Sequence, residues 1–204
     1  MSIASSAAQP AFVCAVRPHG ETAVIARLLT ADSGLVAAYV AGGRGRQLRP
    51  ALIPGNAVSA ELSQRSPASL PFARIELVTS RAPLLAEPLP AAAIGWLTTL
   101  AAAALPERQP YPVLHSALGA VLEAVAEAPS ARAWLSGVVA FEALVLRELG
   151  YGAPRELPAH GDFPANLSLF DRLGGALARY PLADTRTDVM AARAILRERL
   201  GRIG

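Results

Sequence analysis

Short apolar runs fill the first eighty residues of the chain. They occupy Ala11–Arg17, Glu21–Thr30, Leu35–Val40, Asn56–Arg65 and Phe72–Thr79. Runs of this length bounded by turn residues are typical of β-strands. Asp32, Ser33 and Gly34 predict a hairpin turn between the second and third strands, because glycine accepts a positive φ. Five short strands without a helix-length pattern predict a small closed barrel rather than an open sheet.

After Arg81 the apolar positions recur every three or four residues, which predicts helices. Three prolines, Pro83, Pro88 and Pro90, indicate a linker between the two patterns. The predicted helices cover Ala91–Leu105, Pro112–Ala128, Ala131–Leu149, Asn166–Tyr180 and Thr185–Arg202. We therefore expect an α+β, two-domain chain, with a barrel over about residues 10–80 and a helical domain over about 86–204.

The ends of two helices carry recognisable residues. Ser130 is placed to cap the third helix, which is apolar on nearly every side and so is expected to be buried, and Gly150 is placed to close it. Asp184 or Thr185 is expected to cap the last helix. That helix is amphipathic, and its arginines, such as Arg193, are expected to point into water.

The positive charge is concentrated in the strand-rich part. Eight arginines and four acidic residues precede Ala82, whereas eleven arginines and twelve acidic residues follow Arg81. The net charge is therefore +4 in the first part and −1 in the second. A basic half beside a nearly neutral one indicates a polyanionic partner.

Three arginines alternate with glycines in the segment Gly42–Pro50, which is the most distinctive motif of the chain. Arg44, Arg46 and Arg49 offer forked guanidinium groups to phosphates. The segment matches neither a Walker loop nor a dinucleotide-binding fingerprint. We expect phosphate contacts here, and the alternative is a solvated hairpin loop. Arg17 and Arg74 are expected to extend the contact along the barrel.

The sequence gives little support for a metal site, a cofactor site, an enzyme active site or a membrane span. Cys14 is the only cysteine and the three histidines are dispersed, so neither a metal nor another cofactor is predicted. No catalytic constellation is recognisable, and we expect no enzymatic activity. The longest apolar stretch, Ile94–Leu105, is shorter than the roughly 20 residues of a membrane span. The start of the chain lacks the features of a signal peptide, so the expected location is the cytoplasm.

Several segments, taken in order, resemble the RecO family of recombination mediators. They are RPHGET at 17–22, LTADSG at 29–34, VAGGRGR at 40–46, ALIPGN at 51–56 and FEALVLRELGYG at 141–152. The resemblance implies an N-terminal OB-fold, a helical C-terminal domain, and binding and annealing of DNA without catalysis. It also implies association with the nucleoid and partnership with RecR, RecA and single-stranded DNA-binding protein. Many members carry a four-cysteine zinc module after the segment that ends at Gly152, and Ala153–Asp184 contains no cysteine.

The hypothesis is a mediator that binds single- and double-stranded DNA, anneals complementary strands and assists RecA loading. One alternative is a protein-interaction scaffold whose barrel never touches DNA. Another is a small enzyme with an unrecognised site in Ala153–Asp184.

Overall fold

The structure is a computed structural model that describes residues 7–64, 66, 69–185 and 189–203. The polar start of the chain, Arg65 in the fourth predicted strand and residues 186–188 in the fifth predicted helix lie outside the described residues. The chain divides into two compact units. The first extends to Pro83 and also takes in Pro106–His115, and the second comprises Leu84–Leu105 and the residues from Ser116 onward.

Five strands form a closed barrel in the first unit, as the sequence predicts. They are β1 (Gln9–His19), β2 (Ala23–Thr30), β3 (Gly34–Val40), β4 (Ala57–Ser63) and β5 (Phe72–Thr79). The strand order around the barrel is β1-β2-β3-β5-β4. All neighbours are antiparallel except β3 and β5, which pair in parallel at Tyr39 and Phe72. The fold is thus of the OB type, followed by helices in an α+β chain.

Alternate residues of each strand fill the barrel interior. Leu28, Val36 and Leu62 are fully buried there, because successive side chains of a strand point to opposite faces. A β-bulge at Cys14 interrupts β1, and the register with β2 shifts between Val13 and Ala15. An extra residue reverses which face the following positions occupy. The bulge therefore leaves Arg17 exposed on the outer surface, although a regular strand would place it on the same face as Val13.

The predicted hairpin turn between β2 and β3 is present, and Gly34 has a φ of +69°. The Thr30 hydroxyl donates to the Gly34 carbonyl and accepts from the backbone of Ser33. The segment Pro106–His115 packs on this part of the barrel. Its Arg108 N–H donates to the Leu35 carbonyl at 2.8 Å, and its Glu107 forms an ion pair with Arg27 at 3.1 Å. The hydrophobic pattern did not indicate this return of the chain to the barrel.

Among the described residues, a short 3-10 helix at Ala82–Ala86 precedes five α-helices. These are α1 (Pro88–Ala104), α2 (Pro112–Glu127), α3 (Ala131–Glu148), α4 (Phe163–Arg179) and α5 (Met190–Leu200). Pro88 and Pro90 thus begin α1, and their interpretation as linker residues was wrong. Proline is tolerated there because the first N–H groups of a helix have no partner within it. In the described residues no helix is both long and apolar enough to span a membrane.

The helix ends agree with the sequence predictions in part. Ser130 occupies the N-cap position of α3, but its side chain makes no capping hydrogen bond. Gly150 ends α3 with a φ of +82°, and the Tyr151 and Gly150 N–H groups donate to Leu146 and Arg147, which is a Schellman motif. The cap predicted for α5 at Asp184 or Thr185 was wrong, since that helix begins at Met190.

Arg193 of α5 is buried, which corrects the expectation that this helix turns its arginines into water. Only 7% of its side chain is exposed. Its Nε and Nη2 donate to the two carboxylate oxygens of Glu142, both at 2.9 Å. Trp96 donates its indole N–H to the same carboxylate at 2.7 Å. A buried charge persists in a helical core when it is paired and hydrogen-bonded in this way.

Candidate nucleic-acid interface

The segment that carries the three predicted arginines follows β3 and folds into consecutive turns. The Gly45 N–H donates to Gly42 at 2.8 Å, and the Arg49 N–H donates to Gly45 at 3.0 Å. The buried Gly43 lies so close to β2 that an added Cβ would be 2.6 Å from a methyl carbon of Val24. Gly43 thus permits a close approach of the segment to the barrel, a role that the sequence pattern did not indicate.

Arg44 joins this segment to the turn between β1 and β2. Its backbone N–H donates to Thr22 at 3.0 Å. Its Nη1 donates to the carbonyls of Gly20 and Glu21 at 3.3 and 3.0 Å. Both groups that accept hydrogen bonds from the Arg44 side chain are neutral backbone carbonyls. They therefore orient the guanidinium without cancelling its charge. The positive charge remains available to an anion at the surface.

Arg44 and Arg49 line one depression of about 350 Å³ at the surface of the barrel. Its apolar wall consists of Val16, Val24 and Leu52. Arg46, in the same segment, is also exposed. The segment therefore presents three guanidinium groups, two of them around one concavity, and this arrangement suits a flexible phosphate backbone.

The far end of the segment is fixed by a buried amide. Asn56 donates to the carbonyls of Pro50 and Ala51 at 2.9 and 3.2 Å. Its Oδ1 accepts from the backbone of Arg81 at 2.8 Å, and the buried Arg81 side chain donates to Gly55 at 2.7 Å. The arginine-bearing segment is thus tied to the barrel at both ends.

The two remaining predicted residues lie on the barrel wall, apart from that depression. Arg17 lines a second depression of about 260 Å³ with Ile25 and Arg27. Arg74 is 81% exposed and stands 3.9 Å from the Glu61 carboxylate on β4. An exposed ion pair of this kind contributes about 0–1 kcal/mol, so a phosphate can replace Glu61 as the partner of Arg74. The structure thus groups Arg44 with Arg49 and places Arg17 and Arg74 elsewhere on the outer surface.

Sequence reasoning missed one group of side chains near these arginines. In the structure Phe72 is 42% exposed, and the rings of His19, Tyr39 and Phe72 contact one another in sequence. The signal was present in the strand alternation, because Phe72 precedes the inward-facing Ala73 and Tyr39 lies between the inward-facing Ala38 and Val40.

Two carboxylates of Ala153–Asp184, those of Asp162 and Asp171, have structural partners. Asp162 accepts from the Ala165 N–H and caps α4. Asp171 accepts from Arg197 of α5, with 2.9 Å between Nη2 and Oδ2. In the part of the chain that the structure describes, no group of three or more His, Cys, Asp or Glu side chains could hold a metal. The zinc module of many family members requires four cysteines, so the residues present do not fit it, and the predicted absence of metal remains a prediction.

A closed five-stranded barrel with an arginine-bearing surface segment, followed by helices, places the chain in the class of OB-barrel proteins with a helical C-terminal part. Comparison with known proteins gives the family. The N-terminal model of recombination protein O matches residues 1–81, and the C-terminal model matches residues 88–179. The chain belongs to the RecO family.

Relatives of this chain carry the name DNA repair protein RecO, among them the following three. The one from Phenylobacterium zucineum is 41% identical over 143 residues, which cover 70% of this chain and 58% of the relative. The one from Rhodospirillum centenum is 40% identical over 143 residues, with 70% and 56% covered. The one from Caulobacter vibrioides is 36% identical over 171 residues, with 83% and 69% covered. The matched region thus spans less than two thirds of the first two relatives.

Proposed function

We propose that this protein acts in DNA repair as a recombination mediator without catalytic activity of its own. It binds single- and double-stranded DNA, brings complementary strands together for annealing, and assists RecA loading together with RecR. The observation that carries this proposal is the barrel-bound segment with Arg44, Arg46 and Arg49, all exposed. The names of the relatives point in the same direction.

The chemistry of annealing fits a surface of this kind. Two strands repel each other through their phosphates, and guanidinium groups that bind phosphates reduce this repulsion. Phosphate contacts leave the base edges free, so bound strands can still pair. The arginine side chains lie at different positions around the barrel. They therefore suit contacts with successive phosphates of a DNA strand rather than with a single phosphate. Single-stranded DNA-binding protein is included as a partner, since the strands to be annealed are coated by it.

The experiment compares the wild-type chain with a variant in which Arg44, Arg46 and Arg49 are all alanine. Filter binding at low salt measures affinity for single- and double-stranded oligonucleotides, and the annealing rate of complementary strands is measured alongside. We expect the variant to lose affinity for every base sequence and to anneal more slowly. A wild-type chain that binds neither form of DNA at low salt would favour the protein-interaction scaffold instead.

A further inference from the structure

Three aromatic rings follow one another across the outer surface of the barrel. His19 is the last residue of β1, Tyr39 is near the end of β3, and Phe72 is the first residue of β5. The ring centroids of His19 and Tyr39 are 5.8 Å apart, and those of Tyr39 and Phe72 are 5.2 Å apart. We call these three residues the aromatic strip. It exists because the barrel closes with β5 next to β3, which brings Phe72 beside Tyr39.

The side chains of the aromatic strip reach the surface of the barrel. His19 and Phe72 are exposed and Tyr39 is half-buried. Adjacent rings meet edge to face, with interplanar angles of 88° and 67°. In an edge-to-face pair, one ring presents its edge to the face of the other. The neighbour then covers neither face of the ring that presents its edge. Tyr151 and Tyr180 in the helical unit differ, because they lie at 13° and cover each other's faces.

Cationic side chains flank the aromatic strip on both sides. Arg17 is in register with Ile25, and Ile25 is in register with Tyr39 on the next strand. Arg74 lies two positions after Phe72, and therefore on the same face of β5. The turn that follows His19 is held by Arg44. Aromatic rings between arginines are the arrangement by which single strands are bound, with bases on the rings and phosphates on the cations.

We propose that the aromatic strip stacks bases of a single DNA strand while the flanking arginines hold its phosphates. This inference rests on the proposed DNA binding and adds bases to the groups that the barrel contacts. Three rings accommodate about two or three bases, as in other sheet surfaces that stack nucleobases. The rest of a bound strand keeps its base edges free for pairing. Stacking accepts every base, so no sequence preference is expected.

The test compares two ligands that carry the same number of phosphates. One is an oligothymidylate, and the other is an abasic oligonucleotide of equal length. We expect the wild-type chain to bind the oligothymidylate at least about 5-fold more tightly, because each stacked base contributes about 5- to 150-fold. Phe72→Leu and Tyr39→Leu keep apolar bulk and remove the ring, so each should reduce this preference while the affinity for the abasic strand is unchanged.

Val78→Ala is the matched control, because Val78 lies on the same strand as Phe72 and is 65% exposed. It should leave both affinities as in the wild type, and thermal melting checks that every variant is folded. Equal wild-type affinity for the two ligands would overturn base stacking on the aromatic strip and leave the proposed phosphate binding intact. A preference that survives both leucine substitutions would also overturn it. Failure to bind either ligand at low salt would instead remove the proposed DNA binding, and this inference with it.

Discussion

The buried pair of Glu142 and Arg193 offers the sharpest test of how the helical unit is held together. Glu142 is fully buried and accepts hydrogen bonds from Arg193 and Trp96. The Arg193 guanidinium also lies 3.7 Å from the ring centroid of Phe170 and donates to the Phe170 carbonyl. Burial raises the pKa of the Glu142 carboxyl, and the hydrogen bonds and charge of Arg193 oppose that rise.

Arg193→Met would leave the Glu142 carboxylate buried without its cation. Removing one partner of a buried ion pair costs about 3–5 kcal/mol, because the remaining charge has lost its compensation. The matched control is Arg197→Met on the same helix. Arg197 pairs with Asp171, and the side chains are 39% and 46% exposed, so solvent screening limits its loss to about 1 kcal/mol or less.

The assay is urea denaturation followed by tryptophan fluorescence. The chain has two tryptophans, Trp96 and Trp134, and both belong to the helical unit. Their fluorescence therefore reports the unfolding of that unit rather than of the barrel. The double variant Glu142→Leu with Arg193→Met should be more stable than Arg193→Met alone, because it buries no unpaired charge. Equal losses for Arg193→Met and Arg197→Met would refute this account of the pair.

Three further predictions concern the barrel and its boundary. A left-handed backbone conformation costs a non-glycine residue roughly 1–2 kcal/mol. Gly34→Ala should destabilise the barrel by more than this, since the added Cβ would lie 1.9 Å from the Gln109 carbonyl oxygen. Gly20 has a φ of +62° and open space around it, so thermal melting should show a smaller loss for Gly20→Ala. Burial raises the pKa of the Cys14 thiol to about 12, so iodoacetamide at pH 8 should modify it only in denaturant, and rapid labelling of the folded chain would contradict this. Limited proteolysis should cut first within residues 83–87, ahead of α1, or in the arginine-bearing segment, whereas a first cut inside α3 would contradict the division into units.

The strand and helix pattern could be predicted because it depends on local periodicity. Alternation along Leu35–Val40 and the three- to four-residue spacing in Pro112–Glu127 reflect which face each element buries. The turn at Gly34 and the end of α3 at Gly150 were also predictable, since both need a positive φ that glycine adopts readily. These signals lie within a few residues of the structure that they predict.

Features that depend on distant parts of the chain could not be predicted in this way. Glu142 and Arg193 are 51 positions apart, and nothing in either helix alone indicates their pairing. The outward position of Arg17 depends on a bulge whose only trace is one extra residue in β1. The aromatic strip depends on the parallel contact of β3 with β5, which are not consecutive strands. Each of these features depends on how the folded chain packs and not on the local pattern of hydrophobic residues.

The sequence indicated the residue types of the candidate site but not their arrangement. Three arginines among glycines led to the prediction of a phosphate-binding segment, and phosphate contact there stays a prediction. The pattern did not show that Arg44 would be oriented by the Gly20 and Glu21 carbonyls, or that Arg74 would stand beside Glu61.

The measurement that tests the central claim most directly is the salt dependence of single-strand binding. Each phosphate neutralised on a single strand contributes about 0.7 to the slope of log K against log salt concentration. Replacing Arg46 and Arg49 by alanine should flatten this slope by about 1.4, and adding Arg44→Ala should bring the change to about 2. The matched control removes three exposed arginines from the helical unit, Arg172, Arg179 and Arg202.

The slope should fall for the three substitutions in the barrel-bound segment and stay at the wild-type value for the control. Affinity should fall equally for all base sequences, because phosphate contacts carry no base information. A folded triple variant with the wild-type slope would contradict the account, since Arg44, Arg46 and Arg49 would then not contact the strand.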